Sequence, residues 1–169
     1  MDIIDVIMTR RSIRKFTGVP ITKEQEELIL KAGFQSPTAH NTQPWEFVVI
    51  RDIEVLKGIK AYHPYAKMID NAGFVILVCG NTQKQGSLGF LIEDCSASIQ
   101  NILLAAHGIG LGAVWCGIYG GEGLVDKTRE LLDIPDNIIP VGLVVVGNKL
   151  EDKSPKDRYD ANKIHYDKW

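Results

Sequence analysis

The chain has 169 residues, 45% hydrophobic and 24% charged, with a formal net charge of -2 and a pI near 6.1. That composition fits one globular domain spanning 1–169, and the slight acidic balance excludes general nucleic-acid binding, which shows a basic excess. No apolar run reads as long enough to span a membrane, the best being 74–80, and no basic leader or cleavage site opens the chain, which gives a cytoplasmic address by default.

Ile3, Val6, Ile7 and Arg10 recur at helical intervals and predict a first helix with a buried apolar stripe. It runs straight into Arg10, Arg11, Ser12, Ile13, Arg14, Lys15 and Phe16, with four cations in residues 10–15. If the backbone extends after Thr9, Arg10, Ser12 and Arg14 face one way and Arg11, Ile13 and Lys15 the other. Two guanidinium forks with a hydroxyl between them suit a phosphate. Taken alone, such a run is more often a solvated charge cluster at a helix C-terminus.

Gly18 and Pro20 break the pattern. Thr22 and Gln25 form a capping box, and Glu24, Glu26 and Glu27 load the first turns, predicting a helix over 23–32. Its buried face would be Leu28, Ile29 and Ala32, and Gly33 would end it. The polar loop 36–45 then sets Ser36, Thr38, Thr42, Asn41 and Gln43 among two stiffening prolines, Pro37 and Pro44. It can offer hydrogen bonds to a planar heterocycle at small entropic cost, or serve only as a connection.

A strand is predicted at 46–50 and helical character at 54–59, interrupted at 62–64. The apolar run 74–79 reads as a central strand covered on both faces. Segment 81–89, polar and glycine-bearing, reads as a lid over a site or as a plain loop. The longest helix, 90–107, is apolar on most sides, and Ser96, Ala97 and Ser98 let another helix approach closely. Gly108, Gly110 and Gly112 close that helix and open a strand at 113–116. A dinucleotide fingerprint has the opposite order, and the Walker pattern is absent, so neither device would hold a phosphate-bearing cofactor.

Cys116, Gly117, Ile118, Tyr119, Gly120 and Gly121 make a glycine-rich strand exit. It would let backbone approach a flat ring, or make a tight connection to a helix at 124–132. After a last apolar strand at 141–146 comes a tail, 148–169, with Lys149, Lys153, Lys156 and Arg158 and then Ile164, Tyr166 and Trp169. Its apolar end needs a partner surface, such as another chain. Cys79, Cys95 and Cys116 fit no CxxC pair and read as buried free thiols, and the four histidines show no ligand spacing, so no metal is expected. About four core strands among helices indicate an α+β or mixed α/β fold.

Four stretches stand in a meaningful order: RRSIRKF after the first helix, the loop SPTAHNTQPWEFVV, GLGAVWCG after the long helix, and GNKLEDKSPKDRY after the last strand. Together they resemble the nitroreductase family of FMN-dependent oxidoreductases over essentially the whole chain. The resemblance implies a central mixed sheet flanked by helices. It also implies an intertwined homodimer with two FMN sites at the subunit boundary and tail 148–169 lying on the partner.

Residue by residue, the resemblance implies that Arg10, Arg11, Ser12 and Arg14 contact the FMN phosphate, ribityl chain and ring edge. Lys156 and Arg158 would come to the phosphate from the tail. Pro37, Thr38, Ala39, Asn41 and Gln43 would reach the flavin from the other subunit, and Cys116, Gly117 and Ile118 would pass the ring near N5. The implied activity is ping-pong hydride transfer from NADH or NADPH to nitroaromatics, quinones or similar small molecules. No protein residue serves as nucleophile, and Arg14 tunes the flavin. His40, where relatives often carry a small residue, and the compact 62–89 connection depart from the pattern and bear on substrate range. The same residues would also serve a protein that stores or senses FMN without turnover. A domain that uses the basic stretches to bind a polyanion would instead carry no chromophore and associate in a salt-dependent way.

Overall fold

In a computed structural model describing residues 2–169, the chain is organised around four antiparallel strands. These are β1 (Trp45–Ile50), β2 (Phe74–Asn81), β3 (Gly112–Gly117) and β4 (Ile138–Gly147), in the order β1-β2-β4-β3. Around them lie α1 (Ile3–Thr9), α2 (Lys23–Phe34), α3 (Ile53–Tyr62), α4 (Leu88–Gly108) and α5 (Leu124–Leu132). Helix starts follow side-chain chemistry. The Asp2 carboxylate accepts from the Ile4 and Asp5 amides, the Thr22–Gln25 box opens α2, and Asp52 caps α3.

The central strands β2 and β4 are apolar without a break because both of their faces are covered. Phe74, Ile76 and Val78 face the layer of α4 and α2, whereas Val75, Leu77 and Cys79 face the layer built from α3 and α5. The α+β class expected from the sequence is thus the observed one. All three strand pairings are antiparallel; among the described residues the one parallel bridge, Ser12 to Ala113, is isolated and lies outside those pairings.

Several local expectations are corrected. Gly33 does not end α2. It is buried inside the helix, where a Cβ would lie 3.1 Å from the Ile102 side chain and 3.2 Å from Phe47, and its carbonyl accepts from Ser98 Oγ at 3.1 Å. The glycine is the crossing point of α2 and α4, and the small Ser98 is its counterpart. Ile29 is fully buried, but Leu28 faces out; on α1 only Val6 is buried, and Ile3 and Ile7 are exposed. Segment 81–89 is not an open lid. Gln85 is buried, with its amide donating to Thr42 Oγ1 and accepting from the Ser87 N–H, so the turn is fastened down at the start of α4. At 21 residues α4 also has the length and composition to cross a membrane, which the sequence reading overlooked, yet it packs against both α2 and the sheet. All three cysteines are free and buried, and burial pushes the Cys79 and Cys95 thiols up to about 12.

Candidate active site

The basic segment is fixed at its two apolar residues. After α1 the backbone extends, Ile13 N–H donates to Ala113 O at 3.0 Å, and Phe16 bridges Lys149. Ile13 and Phe16 are buried against two glycines. A Cβ on Gly112 would lie 2.7 Å from the Ile13 side chain, and one on Gly147 would lie 2.6 Å from Phe16. These glycines make the seat on which the cations ride.

The first and last motifs are laced together. Thr17 N–H donates to Asn148 O and Leu150 N–H to Lys15 O, each at 2.9 Å, and Lys153 Nζ donates to Ser12 O at 2.8 Å. Glu151 Oε1 accepts from the Arg14 N–H at 2.8 Å, and this bond, aided by Lys153, holds its carboxyl below the ordinary range. The sequence reading missed Glu151, an acid amid the tail's basic residues.

Where α1 meets the tail, Arg10, Arg11, Lys156 and Arg158 line a cavity of about 320 Å³, with Asp157 as its one carboxylate. Arg10 is lowered from its ordinary value, first by burial and then by the charges of Arg11 and Arg158. Like charges gathered in a half-buried place call for an anion. Arg11 lines the same cavity but is held differently from Arg10. Its guanidinium donates to the carbonyls of Met8, Arg10, Ser154 and Lys156, so it lends charge to the cavity while its donors staple the tail in place.

A second cavity, of about 430 Å³, opens further along the same segment and is lined by Arg14, Pro64, Tyr65, Lys67, Met68, Trp115, Cys116 and Gly117. Arg10 and Arg14 are four steps of extended backbone apart, about 13 Å. Half-buried Ser12 stands between them. Gly117 is exposed, and a Cβ there would meet no atom within 4 Å, so a flat body can approach the bare backbone. Its two neighbours behave otherwise. Ile118 is fully buried, with its amide donating to Val141 O at 3.1 Å. Cys116 donates its thiol to Tyr65 O at 3.4 Å, and burial raises it. Of these three residues Cys116 and Gly117 line the cavity, and Gly117 alone is exposed.

The loop 37–43 is tightly wound. His40, Asn41 and Gln43 adopt left-handed backbone, with φ of 54°, 54° and 48°, a costly conformation kept where surroundings enforce it. The loop is anchored at Ala39 by Asp94, an acid on the apolar α4 that the sequence reading passed over. Its buried carboxylate accepts from the Ala39 N–H at 2.9 Å. Thr38 Oγ1 accepts from the Gln43 N–H, and Gln43 donates to Asn41 Oδ1, both at 3.2 Å. Pro37, Asn41 and Gln43 are left exposed.

This loop feeds edge strand β1, whereas the basic segment lies on β3 at the opposite edge. Three strand spacings separate those edges, about 14 Å. The chain therefore joins Arg10, Ser12, Arg14, Gly117, Lys156 and Arg158 in one region and holds Pro37, Thr38, Ala39, Asn41 and Gln43 in another. The first region fits an elongated ligand with an anionic head and a flat body: a cationic cavity short of counter-charge and a cavity lined by an exposed glycine lie along the same segment, residues 10–14.

Comparison with known proteins gives a consistent result. The sequence profile of the Nitroreductase family matches residues 7–63 and 57–148. A Methanothermobacter thermautotrophicus protein named "Putative NADH dehydrogenase/NAD(P)H nitroreductase" is 41% identical over 169 residues, covering 100% of this chain and 88% of the relative. A crystal structure of the same name from Parabacteroides distasonis superposes with a TM-score of 0.95 at 34% identity, over 99% of this chain and 98% of that one. A solved FMN complex from Desulfovibrio desulfuricans gives 0.86 at 29% identity, over 100% of this chain and 98% of that one.

Proposed function

Because the chain belongs to the nitroreductase family, we propose that it is an FMN-dependent NAD(P)H oxidoreductase built as a single FMN-binding domain over 1–169. The carrying observation is the pairing of the two cavities along residues 10–14: an anion pocket at Arg10 and an open-floored slot at Arg14 and Gly117. When bound there, FMN supplies hydride chemistry in two half-reactions, accepting from NADH or NADPH and delivering to a nitroaromatic, quinone or similar acceptor.

The chain's own residues bind and orient. Arg10, Lys156 and Arg158 hold the phosphate, with Arg11 adding charge from its stapled position. Each charge-assisted bond contributes roughly 1.5 to 3 kcal/mol. Ser12 offers its hydroxyl between the two ends. Arg14 puts a cation beside the slot and favours added negative charge on a ring there. Gly117 supplies the floor, while buried Cys116 and Ile118 keep it in place.

The site takes its remaining wall from a second copy of the chain. Loop 37–43 lies at the wrong edge to reach its own cavities, so Pro37, Thr38, Ala39, Asn41 and Gln43 serve the partner's site. A homodimer would also cover Ile3 and Leu28, which line an apolar groove of about 560 Å³, together with the exposed Ile7 and Met8, and would receive the tail's Ile164, Tyr166 and Trp169. The buried free thiols fit a reducing compartment, and the reading keeps the enzyme cytoplasmic.

Anaerobic mixing of the FMN-loaded protein with NADH or NADPH tests the activity. The flavin absorbance is expected to bleach and to return on adding a quinone or nitroaromatic. A flavin that neither donor bleaches would contradict the reading.

A further inference from the structure

His63 is the C-cap of α3 and is only 2% exposed. Its ring nitrogens have opposite, determined roles. Nδ1 accepts from the Tyr65 N–H at 3.2 Å. Nε2 lies 2.9 Å from the Gly117 carbonyl, which can only accept, so Nε2–H is the donor. The other end of the Gly117–Ile118 peptide is also held, since Ile118 N–H donates to Val141 O at 3.1 Å. That peptide plane is therefore clamped at both polar ends while the glycine Cα faces open space. Cys116 Sγ, donating to Tyr65 O at 3.4 Å, ties the same two segments a second time. Tyr65, so clasped, forms part of the slot's wall.

We propose that His63 is a positioning residue for the redox site: its bond to Gly117 O holds the peptide that floors the slot, keeping the carbonyl engaged on the imidazole rather than free to swing. The proposal rests on the FMN reading above. The physical reason is electrostatic. A carbonyl freed to swing toward the slot would set partial negative charge beside a group that must gain negative charge on reduction. Losing the bond therefore lowers the flavin's potential and slows its reduction. It also loosens the slot against Tyr65 and raises the acceptor's KM.

Three variants separate positioning from mere packing. His63→Gln keeps a donor at the reach of Nε2; His63→Asn keeps an acceptor near Nδ1 but none of the reach to Gly117; His63→Leu keeps neither. In FMN-loaded protein, the midpoint potential and the single-turnover rate with NADH are measured beside the melting temperature. His63→Gln is expected to stay near wild type. His63→Asn and His63→Leu are expected to shift to lower potential and to be reduced roughly ten- to hundredfold more slowly, the scale of a small misplacement at a reacting centre. Wild-type potential and rate in His63→Asn would overturn the proposal, and this variant decides the matter if His63→Leu fails to fold. Amide exchange at Ile118 gives a reading independent of bound flavin: protection lost in His63→Asn but kept in His63→Gln supports the clamp, and equal protection in both overturns it. A wild-type protein that binds no FMN defeats the functional reading instead, and the exchange result still judges the clamp.

Discussion

Arg10 and Arg14 belong to one sequence run, but in the proposed site they serve opposite ends. Arg10 lies in the cationic cavity, so Arg10→Ala should weaken FMN binding by roughly tenfold to a hundredfold, the equivalent of one charge-assisted bond. Arg14→Ala should mainly lower the flavin's potential and leave much of the affinity. Fluorescence titration and potentiometry distinguish the two, and equal effects on affinity alone would contradict this division. Glu151 adds a pH signature. Its folded-state pKa is depressed, so its contribution is complete above the ordinary carboxylate value near 4.5 and fades as pH falls through the lowered value. As pH falls below about 4.5 wild type should lose stability relative to its value at pH 7, and Glu151→Gln should lose less; parallel curves would remove Glu151 from the account. The chemistry of the cations was legible in the sequence because Arg and Lys announce charge wherever they fall. The split between Arg10 and Arg11 was not, since it depends on four carbonyls, two of which belong to residues 154 and 156.

Elements built on local chemistry were the ones sequence reasoning located well. The Thr22–Gln25 box, the helix Leu124–Leu132 and the apolar strands follow from capping and period, which act within a few residues. Gly33 failed as a stop signal because a glycine at a helix crossing and a glycine at a helix end look alike until the partner helix is known. Gly112 carries the same lesson with more consequence. It reads as a helix-to-strand turn, yet it is also half of the seat under Ile13. Gly112→Ala should displace Ile13 and cost about 1–3 kcal/mol of stability, as overpacking of a tight contact does. FMN affinity should fall with it, because Arg10 and Arg14 ride on that seat. Urea denaturation and flavin titration of the variant check both effects; unchanged values would show that the segment is not held there.

At the scale of the molecule, the sheet keeps the two halves of the proposed site apart. The loop that winds around Asp94 enters β1, the basic segment lines β3, and β2 and β4 lie between them. Sequence motifs carry no such separation, which is why the two-chain site entered only as an implication of family resemblance; strand order is the physical argument for proposing it. Exposed Ile3, Ile7 and Met8, together with Trp169 at the end of the tail, supply the apolar surface that a second copy would cover. The direct measurement is complementation. One chain carrying Arg10→Ala and Arg14→Ala is co-expressed with another carrying Asn41→Ala and Gln43→Ala, and bound FMN is counted. If each site draws on two chains, random pairing leaves about a quarter of the sites intact, since half the dimers are mixed and each has one undamaged site. Flavin content and NADH-dependent bleaching should recover to about that level, whereas a mixture as empty as either variant alone would contradict the shared site.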